Sequence, residues 1–221
     1  MNDSIDKIVK YFSAITIIPF VYKKHTIEPK TLVVSPTLFR GFKCPENCGA
    51  CCPVFTLDYL PDEPKPEEAI SREVSINKQT KQIWTVTQSE NTNHHCMFVD
   101  MKNGRCHNHP KRPFSCDFEL VRFLEYKDHF RLTQQPFGRA WALTKVDGTK
   151  GAACIIDQSP SEEGAKDALR KLNRLKQWMA YFALPTDRID AIFKYKHQLY
   201  RGRPLLFEQQ RKSPQLLTGD E

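Results

Sequence analysis

Seven of the eight cysteines fall into two groups, and this arrangement constrains the chain more than any other feature of its sequence. The first group occupies one tight loop, with gaps of three and two residues. The second group is more widely spaced, with nine residues in each gap. Thiols gathered in this way either form disulfides or bind a metal. The seven are Cys44, Cys48, Cys51, Cys52, Cys96, Cys106 and Cys116.

The composition and the N-terminal sequence favour metal binding over disulfides. Disulfide frameworks are typical of short secreted chains, whereas this chain has 221 residues with 40% hydrophobic and 27% charged residues, as in an ordinary globular protein. The longest apolar run, Tyr11–Tyr22, is broken by Pro19 and preceded by Asp3 and Asp6. We therefore expect neither a signal peptide nor a membrane span. In the cytoplasm, where we expect this protein, thiols stay reduced and clustered cysteines more often bind metal.

The spacing leaves two kinds of metal centre open. Zinc sites usually combine two C-x2-4-C knuckles, and the second group offers none. The side chains of adjacent Cys51 and Cys52 diverge, so both cannot easily bind one small tetrahedral ion, but a larger [4Fe–4S] cluster relaxes this constraint. We therefore favour an iron–sulfur cluster, with zinc as the alternative. Either centre would tie 44–52 to 96–116, and its removal should unfold this part of the chain.

Four short motifs follow one another along the cysteine region: FKC…CGACC at 42–52, CMFVD at 96–100, GRC at 104–106 and RPFSC at 112–116. Over about 39–119, they resemble the YkgJ-type cysteine-cluster family, whose members are described as zinc- or iron-chelating. The resemblance implies that the seven clustered cysteines are metal ligands. Some members are called iron–sulfur oxidoreductases, and flagellin lysine methylases look related. An oxidoreductase or a cluster-dependent transferase is therefore the activity that the family implies.

The sequence departs from the family pattern in three places. The first gap has three residues where two are expected, His109 stands where a tyrosine is expected, and 117–119 replace the usual residues after the last cysteine. These departures leave room for His109 as a further metal ligand. We expect Arg112 to hold the loop through carbonyls or a carboxylate. The alternative is that it faces an anionic cluster or substrate as a cofactor-binding residue.

The chain identifies no catalytic residue. The loop Cys44-x3-Cys48-x2-Cys51 also matches that of radical S-adenosylmethionine enzymes. The repeated strand–helix pattern of their barrel is missing, however, and Ala50 stands where an aromatic residue is usual. The sequence also contains no P-loop, G-x-G-x-x-G, H-E-x-x-H or nucleophile elbow.

Hydrophobic periodicity predicts an α+β fold with a small β-rich cysteine-cluster part and a C-terminal helical pair. The first helix of the pair is expected to start with Ser159 as its N-cap. The expected parts are an N-terminal helix and lead-in over 1–30, a metal-binding domain over 31–157, a basic helical hairpin over 158–207 and a disordered tail over 208–221.

Several local elements are predicted within the metal-binding domain. Pro110 and Pro113 favour an extended loop over a helix. We expect Cys154 to be a buried small hydrophobe, on a strand that forms a hairpin around Asp147-Gly148. The predicted strands are 31–34, 54–60, 83–87, 118–126, 130–133, 141–146 and 152–156.

The net charge of +7 is concentrated near the C-terminus, where 164–212 contain twelve Lys or Arg and four Asp or Glu. Lys166, Arg170 and Arg174 share the helix face opposite the apolar stripe. We interpret this face as solvated, with nucleic-acid binding as the alternative. Three functions follow. The first is a redox or cluster-dependent protein that meets a redox or other protein partner, and the second is a zinc-stapled structural or interaction module whose basic helices bind a partner or nucleic acid. The third, implied by the family resemblance alone, is a cluster-dependent methylase that acts on lysine.

Overall fold

The computed structural model describes residues 4–43, 47–50, 57–86, 96–118, 120–135, 145–151, 154–209 and 215–216. Over these residues, helices pack with three sheets, and two long helices lie near the C-terminus. The predicted α+β class is therefore confirmed. In the described part of the chain, every helix is too short or too polar to cross a bilayer.

The long helices form where apolar residues recur at helical spacing, and each buries that stripe. The helices are α1 (Ser4–Ile15), α2 (Phe114–Asp117), α3 (Glu162–Tyr181) and α4 (Asp187–Tyr200), with 3-10 helices at Pro36–Phe39 and His109–Lys111. Ser161 caps α3, since its hydroxyl accepts a hydrogen bond from the backbone N–H of Gly164 at 3.0 Å. The prediction of Ser159 as the N-cap is wrong, because the strand before α3 continues to Pro160.

The first sheet is antiparallel and contains the strand on which part of the candidate site is built. Its strands, in spatial order, are β2 (His25–Ile27), β1 (Phe20–Tyr22), β6 (Ile70–Ile76), β7 (Gln79–Val86) and β5 (Leu57–Tyr59). Strands β6 and β7 form a hairpin whose turn residues, Asn77 and Lys78, both have positive φ angles. We predicted β5 and β7 but not β6.

The second sheet joins distant parts of the chain. Its strands, in spatial order, are β12 (Gln215–Leu216), β11 (Leu205–Phe207), β3 (Thr31–Val34), β9 (His129–Gln134) and β8 (Val121–Glu125). Strands β3 and β9 are parallel, and the other pairs are antiparallel. Strands β8 and β9 form the predicted hairpin. Because β11 pairs with β3, the segment that follows α4 is held beside residues 31–34.

A third, two-stranded sheet pairs β4 (Arg40–Lys43) with β10 (Ile155–Pro160). The predicted turn at Asp147-Gly148 is present, since the N–H of Gly148 donates to the carbonyl of Lys145 at 3.0 Å. The strand predicted before this turn, 141–146, lies outside the described residues over 141–144, and 145–146 are not in a strand. Cys154 is only partly buried, so the prediction of a buried hydrophobe is wrong, and the next residue is 53% exposed.

Two apolar clusters stabilise the fold. The main core draws on helices and sheets from all parts of the described chain; Phe12, Leu32, Phe114 and Trp178 are among its fully buried members. The second apolar cluster consists of Leu57, Tyr59 and Val86, with Cys96 and Cys116 among the side chains packed against it. Helix α2 lies between the two clusters, because it contributes to both.

Candidate metal centre

The two cysteine groups meet through their backbones. The N–H of Asn47 donates to the carbonyl of Asn103 at 2.6 Å. Gly104 lies so close to the first group that a Cβ at this position would stand 2.7 Å from the nitrogen of Cys48. Its φ of +67° also favours glycine. The loop that carries Cys48 is therefore docked on the turn directly before Cys106.

The segment 145–151 packs over Cys48 and Gly49. The N–H of Val146 donates to the carbonyl of Cys48 at 3.2 Å, and its side chain lies where a Cβ on Gly49 would stand. Cys48 is consequently 4% exposed. Its thiol lies in the protein interior, where a metal ligand is protected from water.

The second group folds back on itself. Val99 donates its N–H to the carbonyl of Cys96 at 3.0 Å and forms an isolated antiparallel bridge with Cys106. The N–H of Gly104 donates to the carbonyl of Asp100 at 2.8 Å, which closes the turn between the two bridge partners. The nine residues between these cysteines therefore double back, and they bring Cys106 beside the segment that begins at Cys96.

Cys116 lies on a short helix rather than on an extended loop, so this part of the prediction is wrong. Pro110 occupies the first turn of a 3-10 helix, and Pro113 is the N-cap of α2. Proline is compatible with both positions, because an N–H at a helix start has no intrahelical partner. Helix α2 packs on β5 and thereby brings Cys116 to the second apolar cluster.

Tyr59 lies in the cluster against which Cys96 and Cys116 of the second group pack, and the sequence does not predict this role. The side chain is fully buried, and its hydroxyl has no hydrogen-bond partner within the described part of the chain. Burial raises the pKa of Tyr59, and negative charge at Cys96, Cys116 and Cys106 raises it further. An aromatic residue in a strand is too common for its sequence to have signalled this role.

Arg112 holds the loop through a carboxylate, which was one of its two predicted roles. Its Nε donates to Oδ1 of Asp117 at 2.8 Å. Arg170 and Arg174 of α3 bind the same carboxylate, whose side chain is fully buried. Burial acts to raise the pKa of Asp117, but the hydrogen bond from Arg170 and the charge of Arg112 outweigh it and hold the pKa well below its usual range.

The solvated-face interpretation of α3 is therefore wrong for Arg174. This side chain is 20% exposed and also binds Glu63, and it donates to the carbonyl of Arg112 at 3.0 Å. Arg170 is 48% exposed, although it pairs with Asp117. A buried carboxylate requires compensating charge, which these arginines supply.

His109, the further candidate ligand, lies exposed. Its Nε2 contacts the guanidinium of Arg112. Because a guanidinium only donates, this nitrogen must accept, as it does in a neutral imidazole. Burial lowers the pKa of His109, and the charge of Arg112 lowers it further. In this arrangement, Nε2 is occupied by Arg112.

The donor chemistry fits a thiolate-bound metal. Four of the seven clustered cysteines are described, and two of them, Cys96 and Cys116, pack against the cluster that contains Tyr59, whose buried hydroxyl lacks a described partner. Thiolates are ligands for zinc and for iron–sulfur clusters. Among the described side chains, no three His, Cys, Asp or Glu come close enough together to hold a metal ion. Cys44, Cys51 and Cys52 lie outside the described residues.

Comparison with known families identifies the cysteine region. Residues 43–136 match the family model described as "CxxCxxCC: Putative zinc- or iron-chelating domain". The match spans both cysteine groups and confirms the resemblance to the YkgJ-type family. It supports metal binding and leaves the choice between zinc and iron to experiment. Searches of curated proteins and of solved structures found no match.

Proposed function

Because residues 43–136 match the family model of a zinc- or iron-chelating domain of the YkgJ type, we propose that this protein holds an iron–sulfur cluster, with [4Fe–4S] favoured, and has a redox or cluster-dependent role. The observation that carries the proposal is that Cys96 and Cys116 pack against the cluster that contains buried Tyr59, while the Cys48 loop is docked on the turn before Cys106. The proposed ligands are drawn from Cys44, Cys48, Cys51, Cys52, Cys96, Cys106 and Cys116.

The kind and spacing of the donors support iron–sulfur over zinc. Iron–sulfur clusters take thiolates from a tight loop and from a remote cysteine, whereas zinc sites usually combine two C-x2-4-C knuckles, and the second cysteine group offers none. A nitrogen ligand from His109 is less favoured, since its Nε2 contacts Arg112. When bound, such a cluster supplies one-electron transfer. The cysteine region would then exchange electrons with a protein partner.

The chain's own residues would hold and shield this centre. The burial of Cys48 keeps water away from one side. The ion pairs of Asp117 fix helix α2 against α3, and α2 carries Cys116. Arg112 therefore acts on the centre by positioning this cysteine, because its guanidinium is directed at Asp117.

Anaerobic purification of the full chain, followed by assay of iron, sulfide and zinc, tests the proposal. We expect stoichiometric iron and sulfide and a broad visible absorption band that reduction bleaches. Cys116→Ser should lower the iron content, whereas Cys154→Ser, a change outside the two groups, should not. A colourless protein with bound zinc would support the alternative below, and a protein without either metal would overturn both proposals.

One observation favours the alternative, a zinc-stapled module that binds a partner through its basic helices. The end of α4 and the residues that follow it expose Lys194, Lys196, Arg201 and Arg203. A salt-sensitive gel shift with nucleic acid, lost in Lys194→Glu/Lys196→Glu, would support this function. Absence of a gel shift at low salt would exclude nucleic acid as the partner of the basic helices. Arg170 and Arg174 are unsuitable for this test, because their removal also disturbs Asp117.

A further inference from the structure

Tyr59 presents a buried hydroxyl to a sulfur-rich environment. Strand β5 pairs with β7, and Tyr59 stands opposite Trp84 in this register, so its place in the sheet is fixed. The residue is 0% exposed, and its hydroxyl has no hydrogen-bond partner among the residues that the structure describes. A polar group buried in this way is costly unless it is hydrogen-bonded. The position of Tyr59 therefore calls for an acceptor.

The thiols of the second group are suitable acceptors. Cys96 and Cys116 pack against the cluster that contains Tyr59. The phenol of Tyr59 is a hydrogen-bond donor, and a thiolate or cluster sulfur beside it can accept. Hydrogen bonds from outer groups orient metal ligands, and hydrogen bonds to sulfur help to set the potential of an iron–sulfur cluster.

We propose that the Tyr59 hydroxyl donates a hydrogen bond to a sulfur of the metal centre on the side held by Cys96 and Cys116. Tyr59 is thus a positioning residue that retains the metal and stabilises the more negatively charged, reduced state of the cluster. This inference rests on the proposed metal centre, and it adds a residue that lies outside the cysteine motifs.

Tyr59→Phe tests the inference, because it removes the hydroxyl and keeps the ring. The matched control is Tyr181→Phe, which removes a hydroxyl that donates to the carbonyl of Gln82 at 2.7 Å, outside the second apolar cluster. Each full-length protein is purified anaerobically, its midpoint potential is measured by spectroelectrochemistry, and its metal affinity is measured by competition with a chelator.

We expect Tyr59→Phe to shift the potential to a more negative value and to weaken metal binding by roughly 10-fold. Tyr181→Phe should match the wild type in both measurements. If the wild type holds zinc alone, no midpoint potential can be measured, because zinc is not redox-active. The chelator competition then tests the inference. Wild type with metal but no difference between the two variants would overturn the inference alone. Wild type without metal would overturn the proposed function and this inference together.

A second substitution covers the case in which Tyr59→Phe does not fold. Replacement of Tyr59 by 3-fluorotyrosine retains the hydroxyl and makes it a stronger donor. The potential should then move in the opposite direction, to a more positive value, and zinc, if zinc is the bound metal, should be held more tightly. An unchanged potential and an unchanged affinity would overturn the inference.

Discussion

The guanidinium of Arg174 lies 3.0 Å from the carboxylate of Asp117, and this contact ties helix α3 to the residue that directly follows Cys116. Arg170 and Arg112 bind the same carboxylate, so three guanidinium groups surround one buried negative charge. The helical pair is therefore connected to the cysteine region by buried ion pairs as well as by apolar packing.

Removal of this charge should destabilise the protein. In Asp117→Asn, the guanidinium groups of Arg112, Arg170 and Arg174 lose their common partner. We expect the free energy of unfolding in urea to fall by about 3–5 kcal/mol. The control is Asp128→Asn, at a carboxylate that is 85% exposed, where the change should stay within about 0.5 kcal/mol. Similar losses in both variants would contradict the central position of Asp117.

Gly104→Ala should disturb the contact between the two cysteine groups. The new Cβ would meet the backbone of Cys48 at 2.7 Å, at a residue whose φ is +67°. We expect about 1 kcal/mol from the conformation and a further ~1–3 kcal/mol from overpacking, together with reduced metal content.

Gly148→Ala is the matched control for this change. Gly148 also has a positive φ, +82°, but no atom lies within 4 Å of the position of its added Cβ. Thermal unfolding should therefore show only the conformational cost, and the metal content should stay at the wild-type level. Equal effects of the two alanines on metal content would argue against close docking at Gly104.

Metal removal should unfold the cysteine region and spare the helical pair. The main core, which includes Trp178 of α3 and Ile192 of α4, contains none of the described cysteines. After chelation or cluster loss, hydrogen exchange measured by mass spectrometry should show lost protection over 96–118 and retained protection over 162–200. Unchanged exchange and unchanged circular dichroism would count against a metal that stabilises the fold.

Asp58 should make stability depend on pH in the direction opposite to that of an ordinary ion-paired carboxylate. Burial raises its pKa above the usual 3.8, although Thr85 and Arg72 act to lower it. The folded state therefore binds this proton more tightly than the unfolded state does. The contribution of Asp58 to stability should rise as the pH falls through the raised pKa towards 3.8.

Comparison with Asp58→Asn isolates this contribution. The difference in urea unfolding free energy between wild type and variant should move in favour of wild type from pH 7.5 to pH 4.5. Acid effects on the thiols are common to both proteins and cancel in the difference. A difference that is constant across this range would contradict the raised pKa.

The sequence by itself determined the class of the fold, several of its elements and the chemistry of the cysteine region. Strand β3 lies at the predicted 31–34, and the hairpin of β8 and β9 was also predicted. These features are local, because periodicity encodes which face of an element is buried. The order of the four cysteine motifs identified the family, because motifs can be recognised in the sequence without knowing which residues are in contact.

Only the tertiary structure decided which distant residues meet. Strand β6 was not predicted, because its sequence is rich in polar residues. The segment is a strand because it pairs with β7. The roles of Arg174 and Tyr59 could not be predicted from the sequence either. Which group a side chain contacts depends on which parts of the chain pack together in the folded protein. Periodicity predicts burial along one element, whereas charge compensation at Asp117 and the surroundings of Tyr59 arise between elements far apart in sequence.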